Sequence, residues 1–221
     1  MNLMHAAHVP QGDGPFPTVL TLHGWGANAH DLLALAPHLH GGEALVLCPQ
    51  GPVRFEIAPG NPGYGWFPIT GGGPLDPEAF AEGAAAIGDF LDAACQRYPV
   101  DPSKLVVLGF SQGGVMAYDL ALRAPQRFAG LAALSSWLPD ELAAGAAQDA
   151  AREALPAFVA HGTEDPMIPI DRGRESRDAL LALNVPTVYR EYDMGHEIRA
   201  ETLRDLVEWL ETKVLQPVSR A

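Results

Sequence analysis

Apolar residues along the chain fall into two periods. Short runs that are mostly or wholly apolar, several of them rich in β-branched residues, occupy residues 18–22, 44–48, 104–108, 128–134, 157–160 and 187–192, and read as strands. Between them the spacing changes to that of helices. Residues 28–39 are read as one helix with Asn28 as its N-cap. Asp76-Pro77 opens the next as cap and first-turn proline, and Phe80, Ala84, Ile87, Leu91 and Cys95 form its apolar stripe. Residues 111–123 and 172–183 continue the pattern, and Leu203, Leu206, Val207, Leu210 and Val214 share one face of a C-terminal helix. The Ala-rich stretch 143–151 is a helix or a helix-loop piece. Strands alternating with helices predict an α/β protein, with a mostly parallel central sheet flanked by helices on both faces. A length of 221 residues suits one such domain over 1–221.

One segment breaks the alternation. Residues 51–75 are rich in Gly and Pro and carry Phe55, Tyr64, Trp66 and Phe67. A loop of that length in a compact domain calls for a purpose, and its aromatics suggest packing over a site. Trp137 and Trp209 are read as core residues instead.

The chemistry concentrates where residues 104–108 run into Gly109-Phe110-Ser111-Gln112-Gly113-Gly114. This is G-x-S-x-G between a buried strand and a helix, the nucleophile elbow of the α/β-hydrolase fold. The turn is so tight that the neighbours two residues either side must lack a Cβ, which Gly109 and Gly113 provide. It lifts the serine hydroxyl above the carboxyl edge of the sheet, at the positive end of a helix dipole.

A serine hydroxyl needs a base, and the base an orienting acid. In this fold they follow in the order Ser, acid, His. Asp165 lies after the strand ending at residue 160, and His196 after the last strand, 54 and then 31 residues on (165 − 111 and 196 − 165). Both offsets leave room for strand-helix units. Glu164 is the nearest rival for the acid, with Asp171 and Asp193 weaker. Of the eight histidines, five precede the elbow on the wrong segments. His23 and His161 end strands and read as buried, hydrogen-bonded residues that hold loops. The oxyanion hole needs two fixed N–H donors. The residue after the nucleophile, Gln112, supplies one backbone amide, and Trp25, between Gly24 and Gly26, supplies the other.

Together, His23-Gly24-Trp25-Gly26, the elbow string, His161-Gly162-Thr163-Glu164-Asp165 and Gly195-His196 resemble the carboxylesterase/phospholipase family that includes the acyl-protein thioesterases. The similarity runs from about residue 17 to residue 210. It implies Ser111, Asp165 and His196 as the triad, and the Trp25 and Gln112 amides as the oxyanion hole. It also implies a pocket wall that includes Trp66, Phe67, Met167 and Ile168; Met194 is added as a further apolar candidate. Trp25 is bulkier than the residue usual there. The short stretch before Thr18 implies that one or both of the first strands of the fold are missing or abbreviated. A homodimer is expected from family habit alone.

Composition narrows the partners. Twenty-seven acids against 14 bases give a net charge of −13, which disfavours nucleic acid and anionic membrane surfaces. No window approaches the roughly 18 apolar residues of a membrane span, and residues 1–11 show no signal-peptide pattern, so a cytoplasmic location is expected. The two cysteines, Cys48 and Cys95, read as buried packing residues, giving neither a disulfide scaffold nor a metal site. The expectation is a serine carboxylesterase for short- to medium-chain acyl esters that needs no cofactor. A thioesterase or lysophospholipase with the same triad, a peptidase, and an inactive α/β-hydrolase serving as a binding module are the alternatives.

Overall fold

The computed structural model describes residues 2–69, 75–146 and 149–215. In chain order the main elements are β1 (His5–His8), β2 (Phe16–Leu22), β3 (Leu45–Pro49), β4 (Val53–Ala58), β5 (Asn61–Gly65), α1 (Pro77–Arg97), β6 (Val100–Phe110), α2 (Gln112–Arg123), β7 (Gly130–Leu134), α3 (Asp140–Gly145), β8 (Ala157–Gly162), α4 (Ile170–Ala182), β9 (Thr187–Tyr192) and α5 (Ala200–Trp209). A wider π turn, Leu210–Val214, extends α5.

Seven strands form one sheet in the order β1-β3-β2-β6-β7-β8-β9. All neighbours are parallel except β1, which lies antiparallel on β3. One initial strand is therefore present despite the short lead-in. The strand order reverses direction at β2, so the chain leaves a crevice at the carboxyl ends of β2 and β6, where open α/β sheets bind ligands.

The period-2 pattern sorts each strand's residues between two cores. Leu20, Leu22, Leu45, Leu47, Leu105, Val107, Leu131, Ala133 and Val159 face α1, α2 and α4. Val19, Val46, Val106, Leu108, Ala132, Leu134, Phe158 and Ala160 face the other side, where Leu206, Trp209 and Leu210 of the C-terminal helix pack. Continuous apolar strands are what a parallel sheet covered on both faces requires. Trp209 is buried as expected, whereas Trp137 only packs half-buried against its core.

Three expectations need correction. Residues 28–39 do not form one helix but two short 3₁₀ turns, Leu32–Leu35 and Leu39–Gly42. Pro37 lacks the N–H that a continuing helix needs, and His40 (φ 50°) and Gly41 (φ 62°) then leave helical space. Asn28 still caps locally, its Oδ1 accepting from the His30 N–H at 2.9 Å. The segment read as a loop over 51–75 is mainly a two-stranded hairpin, β4 against β5; residues 70–74 lie outside the described residues. Cys95 is exposed while Cys48 is buried. At 3.6 residues per turn Cys95 drifts ~60° from Phe80, and Ala94 takes the inward place. The Ala-rich stretch splits into the end of α3 and a 3₁₀ turn, Ala150–Ala154, with 147–148 outside the described residues.

Helix α1 starts as its sequence predicts. Asp76 accepts from the Glu78 and Ala79 N–H groups, with Pro77 at the first position. Two adjacent residues of this helix have opposite expected effects. Ile87 is fully buried between helix and sheet, so Ile87→Ala should cost about 2–5 kcal/mol. A Cβ at Gly88 meets nothing within 4 Å, so Gly88→Ala should stabilise by about 0.5–1 kcal/mol through helix propensity. Urea unfolding of the two variants checks both signs.

Candidate functional site

Four loops meet at the carboxyl edge, each following a strand of the main sheet. The nucleophile turn follows β6. Ser111 has φ 54° and ψ −121°, a region that residues with a Cβ avoid and that persists only where the surroundings enforce it. They do so through hydrogen bonds. The Ser111 N–H donates to the Leu134 carbonyl at 2.9 Å, and the Ser111 carbonyl accepts from the Gly114 N–H (2.9 Å) and from Ser136 Oγ (2.8 Å). A Cβ on Gly109 would overlap the Gly113 carbonyl, and one on Gly113 would overlap the Leu22 carbonyl. The elbow therefore requires glycine at both places. Gly114 serves Ser136 in the same way, since a Cβ there would strike that serine's side chain.

Asp165 and His196 come from the loops after β8 and β9, which are neighbours in the sheet. His196 Nδ1 lies 2.7 Å from Asp165 Oδ2. A carboxylate only accepts, so Nδ1 carries the hydrogen and Nε2 presents its lone pair. Asp165 Oδ1 accepts from the Met167 and Ile168 amides at 2.8 and 2.9 Å, which fixes the carboxyl plane. The Asp165 side chain is fully shielded, while the imidazole keeps an 18% exposed edge. The His196 ring packs 4.9 Å from that of Phe110, the residue before Ser111.

Behind the acid sits His161, completely buried. Its Nε2 lies 2.9 Å from the Ile168 carbonyl and 3.6 Å from Asp165 Oδ2. A carbonyl accepts, so Nε2 carries the proton. Nδ1 then has no partner among the described residues, so His161 holds its loop with one nitrogen only. That ring edge faces Gly173, where a Cβ would come within 2.7 Å. His23 does have both partners, Gly24 O at 2.8 Å and Gly51 N at 3.0 Å. Burial holds its imidazole below the ordinary histidine range, so the ring stays neutral. It stabilises the fold above its unfolded value of 6.5, a contribution that fades as the pH falls towards the lowered folded value.

The loop after β2 lies against the elbow. A Cβ on Gly24 would sit 3.3 Å from the Ser111 Cβ. The β4–β5 hairpin clamps this loop from outside. The Gly26 N–H donates to the Tyr64 carbonyl (2.9 Å), the Tyr64 N–H donates to the Ala27 carbonyl (3.1 Å), and the Trp25 ring stacks on Phe55 at 4.1 Å.

The profile of the phospholipase/carboxylesterase family matches residues 4–214. The chain belongs to that family. It is 30% identical over 226 residues to acyl-protein thioesterase 1 of Mycosarcoma maydis, covering 90% of this chain and 92% of that one. Among solved structures it is similar to the Bacillus cereus carboxylesterase, with a TM-score of 0.82 at 25% identity over 96% and 95% of the two chains. Acyl-protein thioesterase 2 of Zea mays shares the fold, with a TM-score of 0.73 at 24% identity over 95% and 99%. The fold is that of an α/β-hydrolase, and the chain is a hydrolase of the esterase/thioesterase type.

Within this family member the expected pocket residues do not stay together. Trp66 and Phe67 belong to the core cluster, at 0% and 2% exposure. Trp66 turns its indole N–H inward to the His23 carbonyl at 2.8 Å. Met194 is buried too, its sulfur accepting from Thr202 Oγ1. Ile168 is buried beside the acid, whereas Met167 is 72% exposed. Of the five, only Met167 faces open solvent. Residue type alone did not distinguish an aromatic under the site from one in its wall. Sequence reasoning also missed Ser136 and the Gln112 side chain as supports, because Ser136 lies outside any recognisable motif and Gln112 fills a position of G-x-S-x-G whose side chain the pattern leaves open. Among the described residues no cluster of metal-ligating side chains occurs, and no helix is long and apolar enough to cross a membrane.

The steric account of the elbow predicts that Gly113→Ala destabilises the protein by more than about 2 kcal/mol, because backbone carbonyls cannot yield to the added methyl group. Thermal melting of the variant beside wild type would read this directly.

Proposed function

We propose that this chain is a serine carboxylesterase that hydrolyses short- to medium-chain acyl esters through an acyl-enzyme on Ser111. The observation that carries the reading is the 2.7 Å bond between His196 and a shielded Asp165, on loops that share an edge with a strained serine turn.

In the first step His196 Nε2 takes the Ser111 proton as Oγ attacks the ester carbonyl. Asp165 holds the imidazole in the tautomer that can accept this proton and stabilises the imidazolium formed. Charge that develops on the carbonyl oxygen meets the Trp25 and Gln112 amides; the second is a free N–H of the first turn of α2. The tetrahedral species collapses, the alkoxide leaves with the proton from His196, and the acyl group stays on Oγ. Water then attacks, again deprotonated by His196, and the acid is released. Every proton moves through the chain's own side chains. A small-molecule acyl ester is the partner this scheme requires.

A second reading has specific support: the relative at 30% identity bears the name acyl-protein thioesterase 1. A thioester carbonyl would be attacked by the same machinery, with a thiolate as leaving group.

The test is hydrolysis of p-nitrophenyl esters from acetate to palmitate by wild type and Ser111→Ala. Wild type should turn over the short and medium esters, and the variant should lose at least about 10³-fold in kcat. A wild type inactive on every ester, or a variant with full activity, overturns the reading. Acyl thioesters assayed in parallel decide between the two leaving groups. Asp165→Asn should lower kcat by about 10³–10⁴-fold by favouring the wrong imidazole tautomer, with the hydroxyl nucleophile still present.

A further inference from the structure

The strand-end histidine before the oxyanion loop has a role that its burial alone does not reveal. We infer that His23 is a positioning residue: its Nδ1–H fixes the Gly24–Trp25 peptide so that the Trp25 amide faces the reacting carbonyl, and a bond network through Trp66 couples it to Gln112. This rests on the reading of the Trp25 and Gln112 amides as oxyanion donors.

The hydrogen positions follow from the partners. The Gly51 amide can only donate, so His23 Nε2 must accept that bond at 3.0 Å. The ring proton of the neutral imidazole is therefore on Nδ1, which donates to the Gly24 carbonyl at 2.8 Å. The same carbonyl accepts from the Ala27 N–H at 3.2 Å. In a trans peptide the C=O and N–H of one plane point in opposite directions. The two donors that hold the Gly24 oxygen on one side thus direct the Trp25 N–H to the other. Without them, a flip of this plane would put a carbonyl oxygen where the developing oxyanion belongs.

The network continues to the second donor. The Trp66 indole N–H donates to the His23 carbonyl (2.8 Å), while the Trp66 backbone N–H donates to Gln112 Oε1 (2.9 Å) and Gln112 Nε2 donates to the Phe67 carbonyl (2.7 Å). One buried dipeptide, Trp66-Phe67, therefore holds the residues on both sides of the oxyanion site in register. Gly65 must be glycine for the dipeptide to reach them, since a Cβ there would overlap the Trp25 ring and lie 3.0 Å from Gln112 Oε1. A preorganised hole is what gives such donors their catalytic value.

Two variants separate the His23 nitrogens. Asn carries its amide near the Nδ1 position and retains a donor for Gly24, but not the acceptor for Gly51. Gln reaches the Nε2 position and retains the acceptor, but not the donor. On p-nitrophenyl butyrate, His23→Gln should lose about 10–100-fold in kcat, with KM changed by no more than about threefold. Its affinity for a trifluoromethyl ketone, whose adduct carries the oxyanion, should fall in proportion. His23→Asn should recover most of that rate. Both variants lose one hydrogen bond and should melt at similar temperatures. Equal loss of kcat in both, or a loss confined to KM, overturns the inference. Should His23→Gln fail to fold, the ¹⁵N spectrum of wild type decides: a neutral Nδ1–H tautomer at pH 7 supports the role, and an Nε2–H tautomer or a charged ring overturns it. Wild type inactive on all esters would instead sink the esterase reading, whereas active wild type with indistinguishable variants sinks only the role of His23.

Discussion

The site depends on a backbone held where it would not rest by itself. Ser111 occupies φ 54° and ψ −121°, a conformation that costs of order 1–3 kcal/mol for a residue with a side chain. That cost is met by the packing and hydrogen bonding of its surroundings. Strand β7 supplies the Leu134 carbonyl, Ser136 ties down the far side of the turn, and Gly109, Gly113 and Gly114 keep clear the space in which these contacts form. Loosening the turn would let the serine drop toward the sheet and draw α2 from its seat. The fold and the reactive group are thus held by the same few atoms.

Around this turn the sheet distributes its tasks. Its carboxyl edge brings the Trp25 loop next to Ser111, because β2 and β6 are neighbours, and Asp165 next to His196, because β8 and β9 are neighbours. Each loop has its own buried clamp. His23 joins the first to Gly51 and Gly24, and His161 braces the loop of Asp165 through Ile168. The His23 tautomer is chosen by its two partners, and neither ring has to exchange a proton in the scheme. They differ from His196, which keeps a solvent-facing edge.

Much of this was legible in the sequence. The strands at 44–48 and 157–160 and the elbow stand out because unbroken apolar runs have few other uses, and because glycine on both sides of a serine after such a run serves steric need. The order of Ser111, Asp165 and His196 follows from the strand-helix rhythm. Other features could not be read so. Pro37 breaks a segment whose apolar spacing otherwise suits a helix. At Val53–Gly65 the alternation of Val53, Phe55 and Ile57 with Arg54 and Glu56 signals a strand, but its partner Asn61–Gly65 carries a proline and two glycines, which hid the hairpin. Trp66 and Phe67 look like pocket residues from their neighbourhood, yet they are buried by contacts with residues distant in sequence, His23 and Gln112, which no local pattern announces. Cys95 fell on the wrong side because a stripe extrapolated in steps of four outruns the true helical turn.

The exposed residues at the rim have different attachments. Met167 and Ile57 project into solvent at 72% and 55% exposure, and neither side chain anchors a polar group that orients Ser111, Asp165 or His196. The side chains that brace the surrounding loops, Ser136, His23 and Gln112, all point back into the molecule. The braces and the exposed side chains are thereby different residues. Substitution at these exposed positions leaves the buried anchors in place, so the outer surface can drift while the inner network stays fixed. A lineage built this way can vary its surface one residue at a time without unseating the strained turn.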